Sequence, residues 1–265
     1  MKNRNKEIDN MEMLDRKDGD RLAILVANVA KQLVRSGAEI YRAEDTGRRI
    51  CARYKNIEYI NIYATYNLVM VSFSLNGEEF STMRTFHGVD YNLEKVAKIN
   101  EFSRKFTSEG ISIEEGLKII ENIYLEDNEK MLHMALFAAF GSAFLIVNFN
   151  GGIEDFIITL IAAFIGELSF IRISKRGIPI FINTIIGCLI ASSICHIIMK
   201  LGLGTSIDIV VMGSIMPFLP GVSFTNSVRD FLSGEVESGL LALVQSLIIA
   251  AGMALGVSST FLLFS

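Results

Sequence analysis

Long apolar stretches fill the second half of this chain and constrain its fold more than any other feature. Five stretches have about 20 residues or more, the length that a helix needs to cross the roughly 30 Å hydrocarbon core of a bilayer. Only five of the 25 lysine and arginine residues lie after residue 130. Five consecutive helices with so few charged residues would be unusual in a soluble protein. The pattern therefore predicts membrane spans at about 131–149, 153–171, 178–199, 207–228 and 239–263.

The positions of the basic residues predict the orientation of these spans. If the N-terminal half lies in the cytoplasm, loop 172–177 and Arg229 place four basic residues inside, and only Lys200 lies outside. This distribution agrees with the positive-inside rule. The N-terminus has no apolar core of a signal peptide. We therefore expect a multi-pass protein of the plasma membrane, in contact with lipid, with its N-terminus in the cytoplasm and its C-terminus outside.

The first half of the chain is rich in charge and predicts a small α+β domain. Residues 1–19 are polar and predict a disordered tail, and the domain proper spans 20–127. Apolar residues recur at helical spacing from Asp20, and Ser36-Gly37 interrupts them. A second helix then runs to about Tyr54, unless the two form one long kinked helix. Ser36 and Glu39 have the spacing of a capping box.

Residues 57–86 have the alternation and β-branched composition of strands. Asn76-Gly77 is a strong signal for a type I′ hairpin turn. These features predict a three-stranded antiparallel meander, followed by helices at about 92–107 and 112–124. The fold class is therefore an α+β N-terminal domain followed by a transmembrane bundle of about five helices, with residues 128–265 in the membrane.

Little in the N-terminal half indicates chemistry. Glu39, Arg42, Glu44 and Asp45 lie close together, and helix-surface ion pairs explain most such clusters, although a functional contact is an alternative. There is no nucleophile–base pair, glycine-rich phosphate loop or cluster of metal ligands. No region is strongly basic, so nucleic acid is not an expected partner. We expect no catalytic residue, no metal, no cofactor and no enzyme activity.

The fourth span contains two of the three prolines, Pro217 and Pro220. Pro217 lies about 15 Å into the span, close to the middle of the bilayer. Proline removes a backbone donor, and Gly221 adds freedom, so the helix should break there. Unpaired backbone groups are tolerated at this depth only inside protein or beside a water-filled cavity. The simpler alternative is a proline kink whose polar neighbours only satisfy the backbone.

Polar residues follow the break, and the new half-helix points its positive end inward. Such an end suits a carboxylate. We therefore predict that Thr225 and Asn226, with backbone N–H groups after Pro220-Gly221, bind a substrate carboxylate. The predicted substrate site also includes Asp230, Glu167 and Asn183. As alternatives, Asp230 pairs with Arg229 at the cytoplasmic surface, Glu167 pairs with loop 172–176, and Asn183 links neighbouring helices.

An odd number of spans has a consequence for assembly. A second, similar unit would enter the membrane from the opposite side, and inverted pairs of this kind are common in transporters. No second copy is recognisable in this chain, so a partner unit would be a separate polypeptide.

Two groups of residues resemble the threonine/serine exporter family. The first is Pro220-Gly221-Val-Ser-Phe-Thr225-Asn226-Ser-Val-Arg229-Asp230, and the second is Ser36-Gly37-Ala38-Glu39 with Tyr41-Arg42-Ala43-Glu44. The resemblance covers roughly residues 20–263. It implies the larger subunit of a two-component exporter that works with a smaller membrane subunit of four or five helices. Some such exporters carry dicarboxylates such as succinate.

The sequence therefore predicts a transporter subunit that exports small carboxylate-bearing solutes, either amino acids of the threonine/serine type or dicarboxylates. The alternative is a membrane receptor or assembly factor that does not transport and signals through its N-terminal domain. The break in the fourth span and its polar residues favour the exporter.

Overall fold

The computed structural model describes residues 12–86, 88, 91–125 and 131–264. The chain divides into two compact units. The N-terminal unit contains Met1–Asp127 together with Thr225–Ala242, and the membrane unit contains Asn128–Phe224 together with Leu243–Ser265. The predicted division placed 225–242 in the membrane domain. The structure groups this segment with the N-terminal unit instead, because its polar side chains pair with groups of that unit.

The N-terminal unit is built around one buried helix. Helix α1 (Gly19–Arg35) packs against α2 (Ile40–Cys51) and against a sheet of β1 (Ile57–Ala64), β2 (Leu68–Leu75) and β3 (Glu78–Thr85). Helices α3 (Leu93–Ser108) and α4 (Ile113–Leu125) complete the unit. The apolar stripe of α1 is fully buried, as its helical spacing requires. The sheet is an antiparallel meander in the order β1-β2-β3, which confirms the predicted α+β composition.

The hairpin between β2 and β3 follows from its two turn residues. Asn76 and Gly77 both have positive φ, 53° and 86°, as a type I′ turn requires. The predicted capping box at Ser36 is wrong, however. Ser36 ends α1, and Glu39 precedes α2 without capping it through its side chain. Two helices separated by a turn, and not one kinked helix, form this region.

Part of the predicted N-terminal tail belongs to the folded unit. Residues 1–11 lie outside the described residues. Leu14 is buried, and its backbone exchanges two hydrogen bonds of 2.9 Å with the Asn56 side chain. A 3-10 helix follows at Arg16–Asp18. The prediction of disorder up to residue 19 is therefore wrong for residues 12–19. It rested on the polar composition of the segment, which does not show that Leu14 is buried in the folded unit.

The membrane unit consists of long apolar helices that pack through small residues. Its helices are α5 (Met131–Leu145, extended by a 3-10 turn at Ile146–Phe149), α6 (Ile153–Ser174), α7 (Ile180–Lys200) and α8 (Ile207–Ile215). After a 3-10 turn at Met216–Phe218 come α9 (Gly221–Leu232) and α10 (Val236–Phe264), which both units share. Among the described residues, four helices are long and apolar enough to cross a membrane, or up to five if the bent pair α8–α9 is one span.

Glycines allow these helices to approach closely. A Cβ atom on Gly166 would lie 2.8 Å from the Ala191 Cβ, and one on Gly256 would lie 2.6 Å from the Ile185 carbonyl oxygen. Close contact through small residues is the usual way that helices associate in lipid, where burial of apolar surface gives no advantage. Large apolar side chains such as Phe137 point outward instead, with 75% of the residue exposed.

Candidate functional site

The helix that begins at Ile207 breaks at its two prolines. Pro217 lies in the 3-10 turn, Leu219 is extended, and the Gly221 N–H donates to the Leu219 carbonyl at 2.8 Å. Helix α9 then leaves at a bend of 59°. The bend follows from the two missing N–H donors, since neither proline can continue the ladder of an α-helix. The backbone after the break is locally repaired, because the Phe224 N–H donates to the Pro220 carbonyl at 2.9 Å.

Helix α9 buries polar residues and exposes apolar ones. Its buried positions follow the helical spacing i, i+3, i+4 and i+7: Ser223, Asn226, Ser227 and Asp230. Its exposed side carries Val222, Phe224, Val228, Phe231 and Leu232. Thr225, which the sequence grouped with Asn226, lies on the exposed side. This arrangement is the reverse of a soluble helix and suits an environment of lipid on one side and protein on the other.

The buried polar side of α9 meets the turn between α1 and α2. Asn226 Nδ2 donates to the Gly37 carbonyl at 3.2 Å. Arg229 forms an ion pair with Glu39, which also binds Arg42 at 3.3 Å. The cluster around Glu39 thus includes a long-range contact, and not only helix-surface pairs. Residues 36–44 and 225–230, which belong to the two groups that carry the family resemblance, lie together in the N-terminal unit, although Gly37 and Asn226 are 189 positions apart.

Asp230 lies at the centre of this contact and is fully buried. The Tyr66 hydroxyl donates to Asp230 Oδ2 at 2.9 Å, and the backbone N–H of Ile40 at the start of α2 also faces the carboxylate. Asp230 Oδ1 has no hydrogen-bond partner among the described residues. Asp230 therefore does not pair with Arg229, whose charge goes to Glu39. A carboxylate at the start of a helix also interacts favourably with the helix dipole.

The electrostatics of this cluster keep Glu39 ionised and Tyr66 protonated. Burial by itself raises the pKa of Glu39, but hydrogen bonds from its own backbone and from Arg229 and Arg42 outweigh burial and lower the pKa below its ordinary value. Burial raises the pKa of the Tyr66 hydroxyl, and the charge of Asp230 raises it further. Tyr66 therefore acts as a stable hydrogen-bond donor to Asp230.

Two other predicted site residues, Glu167 and Asn183, lie in the membrane unit. Asn183 Nδ2 donates to the Phe170 carbonyl of α6 at 3.1 Å, which confirms its role as a link between helices. Glu167 Oε2 is buried and has no hydrogen-bond partner within the described part of the chain. Phe218, next to Pro217 in the break, packs on Phe170 with 5.4 Å between ring centroids.

Sequence reasoning missed Tyr66 and Gly37. Tyr66 lies in the short connection between β1 and β2, and nothing in its local sequence separates it from the other tyrosines. Gly37 has a φ of 89°, and a Cβ there would lie 2.3 Å from the Tyr91 ring, so the turn requires glycine. Glycine in an interrupted helix signalled a turn, but it did not signal that the Gly37 carbonyl accepts a distant hydrogen bond.

The fold and the break define a class: a multi-pass membrane protein that joins a small α+β unit to four or five apolar helices, one of them interrupted by proline. The family model described as "Putative threonine/serine exporter" matches residues 24–264. The chain therefore belongs to the threonine/serine exporter family, which is a family of transporters and not of enzymes.

Among curated proteins, the chain is 23% identical over 244 residues to a protein named "Threonine/serine exporter" from Corynebacterium glutamicum. The match covers 88% of this chain and 49% of that protein. The chain thus spans about half the length of the curated relative that it matches. No solved structure matches the chain.

Proposed function

We propose that this chain is the larger component of a two-part exporter of small carboxylate-bearing solutes, either threonine/serine-type amino acids or dicarboxylates such as succinate. The observation that carries the proposal is the interrupted fourth span. The helix bends by 59° at two prolines, and its second half buries a polar side. Interrupted helices with polar groups are the usual site of substrate binding in transporters.

The proposed substrate contact lies at the start of α9. Asn226 has two N–H donors on its side-chain amide, of which one goes to Gly37. We propose that the Asn226 amide holds the substrate carboxylate, together with Thr225 and backbone N–H groups after Pro220-Gly221. Donors without formal charge also permit release, which an arginine clamp would slow.

Transport measured with variants of Asn226 tests this proposal. Loss of one hydrogen bond to a charged group costs roughly 1.5–3 kcal/mol, so Asn226→Ala should weaken apparent affinity by about ten- to a hundredfold. Asn226→Asp should weaken it further, since it opposes one carboxylate with another. Asn148→Ala, at an exposed position, is the matched control. If both Asn226 variants transport normally at normal membrane abundance, the substrate site lies elsewhere.

A separate, smaller membrane subunit of four or five helices is the second part of the proposal. The relative from Corynebacterium glutamicum has about as much chain again beyond the matched region. The purified chain alone in liposomes should therefore transport nothing, and transport should appear when the smaller subunit is added. Transport by the chain alone would contradict a two-part exporter.

We propose that the N-terminal unit lies in the cytoplasm, as the distribution of basic residues indicates. A cysteine introduced at Gly152 should then react with an impermeant thiol reagent on intact cells, and one introduced at Gly177 should not. The reverse labelling pattern would invert the orientation. Both positions lie in connections between helices, so neither substitution interrupts a span.

A further inference from the structure

The sheet of the N-terminal unit has two edges, β1 and β3, and the β1 edge is irregular. A bulge interrupts β1 between Glu58 and Asn61, where Tyr59 has a φ of 52°. Bulges are a common protection of sheet edges, because they prevent a further strand from pairing. The start of α10 also reaches β1, since the Tyr63 hydroxyl donates to Glu237 at 2.6 Å. The β1 edge is therefore protected.

Strand β3 has no such protection. All eight of its residues, Glu78–Thr85, pair with β2 in one uninterrupted register. The strand contains neither proline nor lysine, two residues that often block an edge. No backbone–backbone hydrogen bond joins Glu78–Thr85 to a described residue outside β2. A regular edge of this kind can pair with a further strand.

Alternate residues of β3 direct their backbone N–H and C=O groups away from β2. The two-residue turn at Asn76-Gly77 makes Leu75 and Glu78 a hydrogen-bonded pair, and hydrogen-bonded and non-hydrogen-bonded pairs then alternate along the hairpin. The residues whose backbone groups face the open edge are therefore Glu79, Ser81, Met83 and Thr85. All four residues are exposed. The Arg84 guanidinium also lies at this edge, because it donates to the Met83 carbonyl at 3.0 Å.

The order of charges in β3 is complementary to its own reverse. If two copies of β3 lie antiparallel about Ser81, Glu78 of each copy is opposite Arg84 of the other. Opposite charges in directly opposed positions stabilise strand pairing, and this ion pair occurs twice. Movement of one copy by two residues places Arg84 opposite Phe80 and loses both ion pairs. Glu78 also binds Arg16 at 2.7 Å, but a carboxylate can accept from two arginine side chains.

We propose that two copies of this chain associate through their β3 edges, in a symmetric contact about a two-fold axis at Ser81. In this register, each residue with edge-facing backbone groups lies opposite another such residue, so the backbone hydrogen bonds are also made. The two sheets become one sheet of six strands, in which β3 is paired on both sides. The outer edges of the joined sheet are the two β1 strands, which are the protected ones.

Cysteine cross-linking of the full chain in its native membrane tests this contact. Hydrogen-bonded residues on neighbouring strands have Cα atoms about 5.5 Å apart, which a disulfide can span. Ser81→Cys should therefore form a covalent dimer on mild oxidation, in several-fold higher yield than Asn61→Cys. Asn61 is the matched control, because it is exposed and lies in the same row of the sheet, through Ser72. The three native cysteines are buried and should give no dimer.

Co-expression of two variants tests the register. Chains with Glu79→Cys should cross-link to chains with Met83→Cys, because these residues are opposite each other in the proposed pairing, and neither variant should cross-link to itself. Dimers of Thr82→Cys in place of dimers of Ser81→Cys would show a shifted register without the ion pairs, and would overturn the proposal.

Charge reversal tests the two ion pairs. Glu78→Arg and Arg84→Glu should each reduce the cross-link at Ser81→Cys several-fold, because like charges then face each other, and the two reversals together should restore it. Arg16→Ala is the control, since it removes only the partner of Glu78 within the same chain. The proposal is overturned if the double reversal does not restore the dimer. It is also overturned if, at equal membrane abundance, Ser81→Cys gives no more dimer than Asn61→Cys.

Discussion

Helices α1 and α9 turn opposite kinds of residue inward. Helix α1 buries leucine and valine side chains such as Leu22, Leu25 and Val26, whereas α9 buries Asn226 and Asp230 and exposes its apolar side chains. The first pattern is that of a helix that must remove apolar surface from water. The second is that of a helix whose surroundings are themselves apolar, so that only polar groups gain from burial. Within one chain, α1 buries apolar side chains and α9 buries polar ones, and the surroundings of each helix decide which kind is buried.

The same contrast separates the interiors of the two units. The N-terminal unit is filled by large side chains such as Phe73, Phe106 and Leu33, each fully buried. The membrane unit brings its helices together at glycine and alanine. Large residues hold the first unit together through burial, and small residues hold the second through close contact of helix backbones.

The largest expected effect is the difference in stability loss between two truncations of phenylalanine, one in each unit. Phe73→Ala removes a fully buried ring that stacks on Phe80, and it should cost about 3–5 kcal/mol of unfolding free energy. Phe137→Ala removes a largely exposed ring and should change stability by less than about 0.5 kcal/mol. Thermal unfolding of the full chain in detergent measures both. Equal losses would show that Phe137 is covered by protein and not by lipid.

Addition of a methyl group should destabilise the membrane unit where two of its helices approach closely, and should be harmless where a helix faces open space. Gly256→Ala places a Cβ 2.6 Å from the Ile185 carbonyl oxygen, a backbone atom that cannot move alone, and should cost about 1–3 kcal/mol. Gly141→Ala meets nothing within 4 Å and should be neutral or slightly stabilising. The same melting measurement applies. A neutral Gly256→Ala would mean that α7 and α10 do not approach as closely as the structure shows.

Two tyrosines test the buried polar contact of α9. Both donate to a carboxylate, Tyr66 to Asp230 at 2.9 Å and Tyr63 to Glu237 at 2.6 Å, but only the first pair is buried. Tyr66→Phe leaves a buried carboxylate with one donor fewer and should cost about 1–3 kcal/mol. Tyr63→Phe, at an exposed site, should have little effect. Similar values for both variants would show that burial does not set the strength of this contact.

The smallest expected effect is a pair of opposite pH dependences within the N-terminal unit. Burial raises the pKa of Glu39, but hydrogen bonds from its own backbone, Arg229 and Arg42 outweigh burial and lower the pKa. Glu39 therefore contributes stability above the unfolded pKa of about 4.3, and this stability is lost as the pH falls through the folded pKa. Burial raises the pKa of Glu44 despite its bonds to Ala64 and Arg48, so its contribution declines as the pH rises from 4.3 through the folded pKa.

Unfolding measured from pH 3 to 7 separates these two contributions. Glu39→Gln should reduce the loss of stability that occurs as the pH falls. Glu44→Gln should reduce the loss of stability that occurs as the pH rises. Asp45→Asn, which changes an exposed acid of the same helix, is the control. Identical pH profiles for the two glutamine variants would contradict the opposite environments of these carboxyl groups.

Local features of the sequence predicted most of the elements. Periodicity located the helices, Asn76-Gly77 located a hairpin, and the prolines located a break, because each of these depends on neighbouring residues alone. The contacts of α9 were different. Tyr66 and Asp230 are 164 positions apart, and neither has an unusual local setting. Glu39 had the spacing of a capping residue, but its carboxylate binds Arg229 instead, and a local rule cannot weigh a distant competitor for the same side chain.

The membership of 225–242 in the N-terminal unit has a consequence for synthesis. The ribosome completes residues 1–127 before it reaches residue 242, and at about 5–20 residues per second the interval is on the order of 6–23 s. During that time the Gly37 carbonyl, the Glu39 carboxylate and the Tyr66 hydroxyl lack their final partners. All three are groups that water satisfies well. The groups that later bind α9 are therefore polar. The nascent chain can leave them exposed to water without exposing an apolar patch that would promote aggregation.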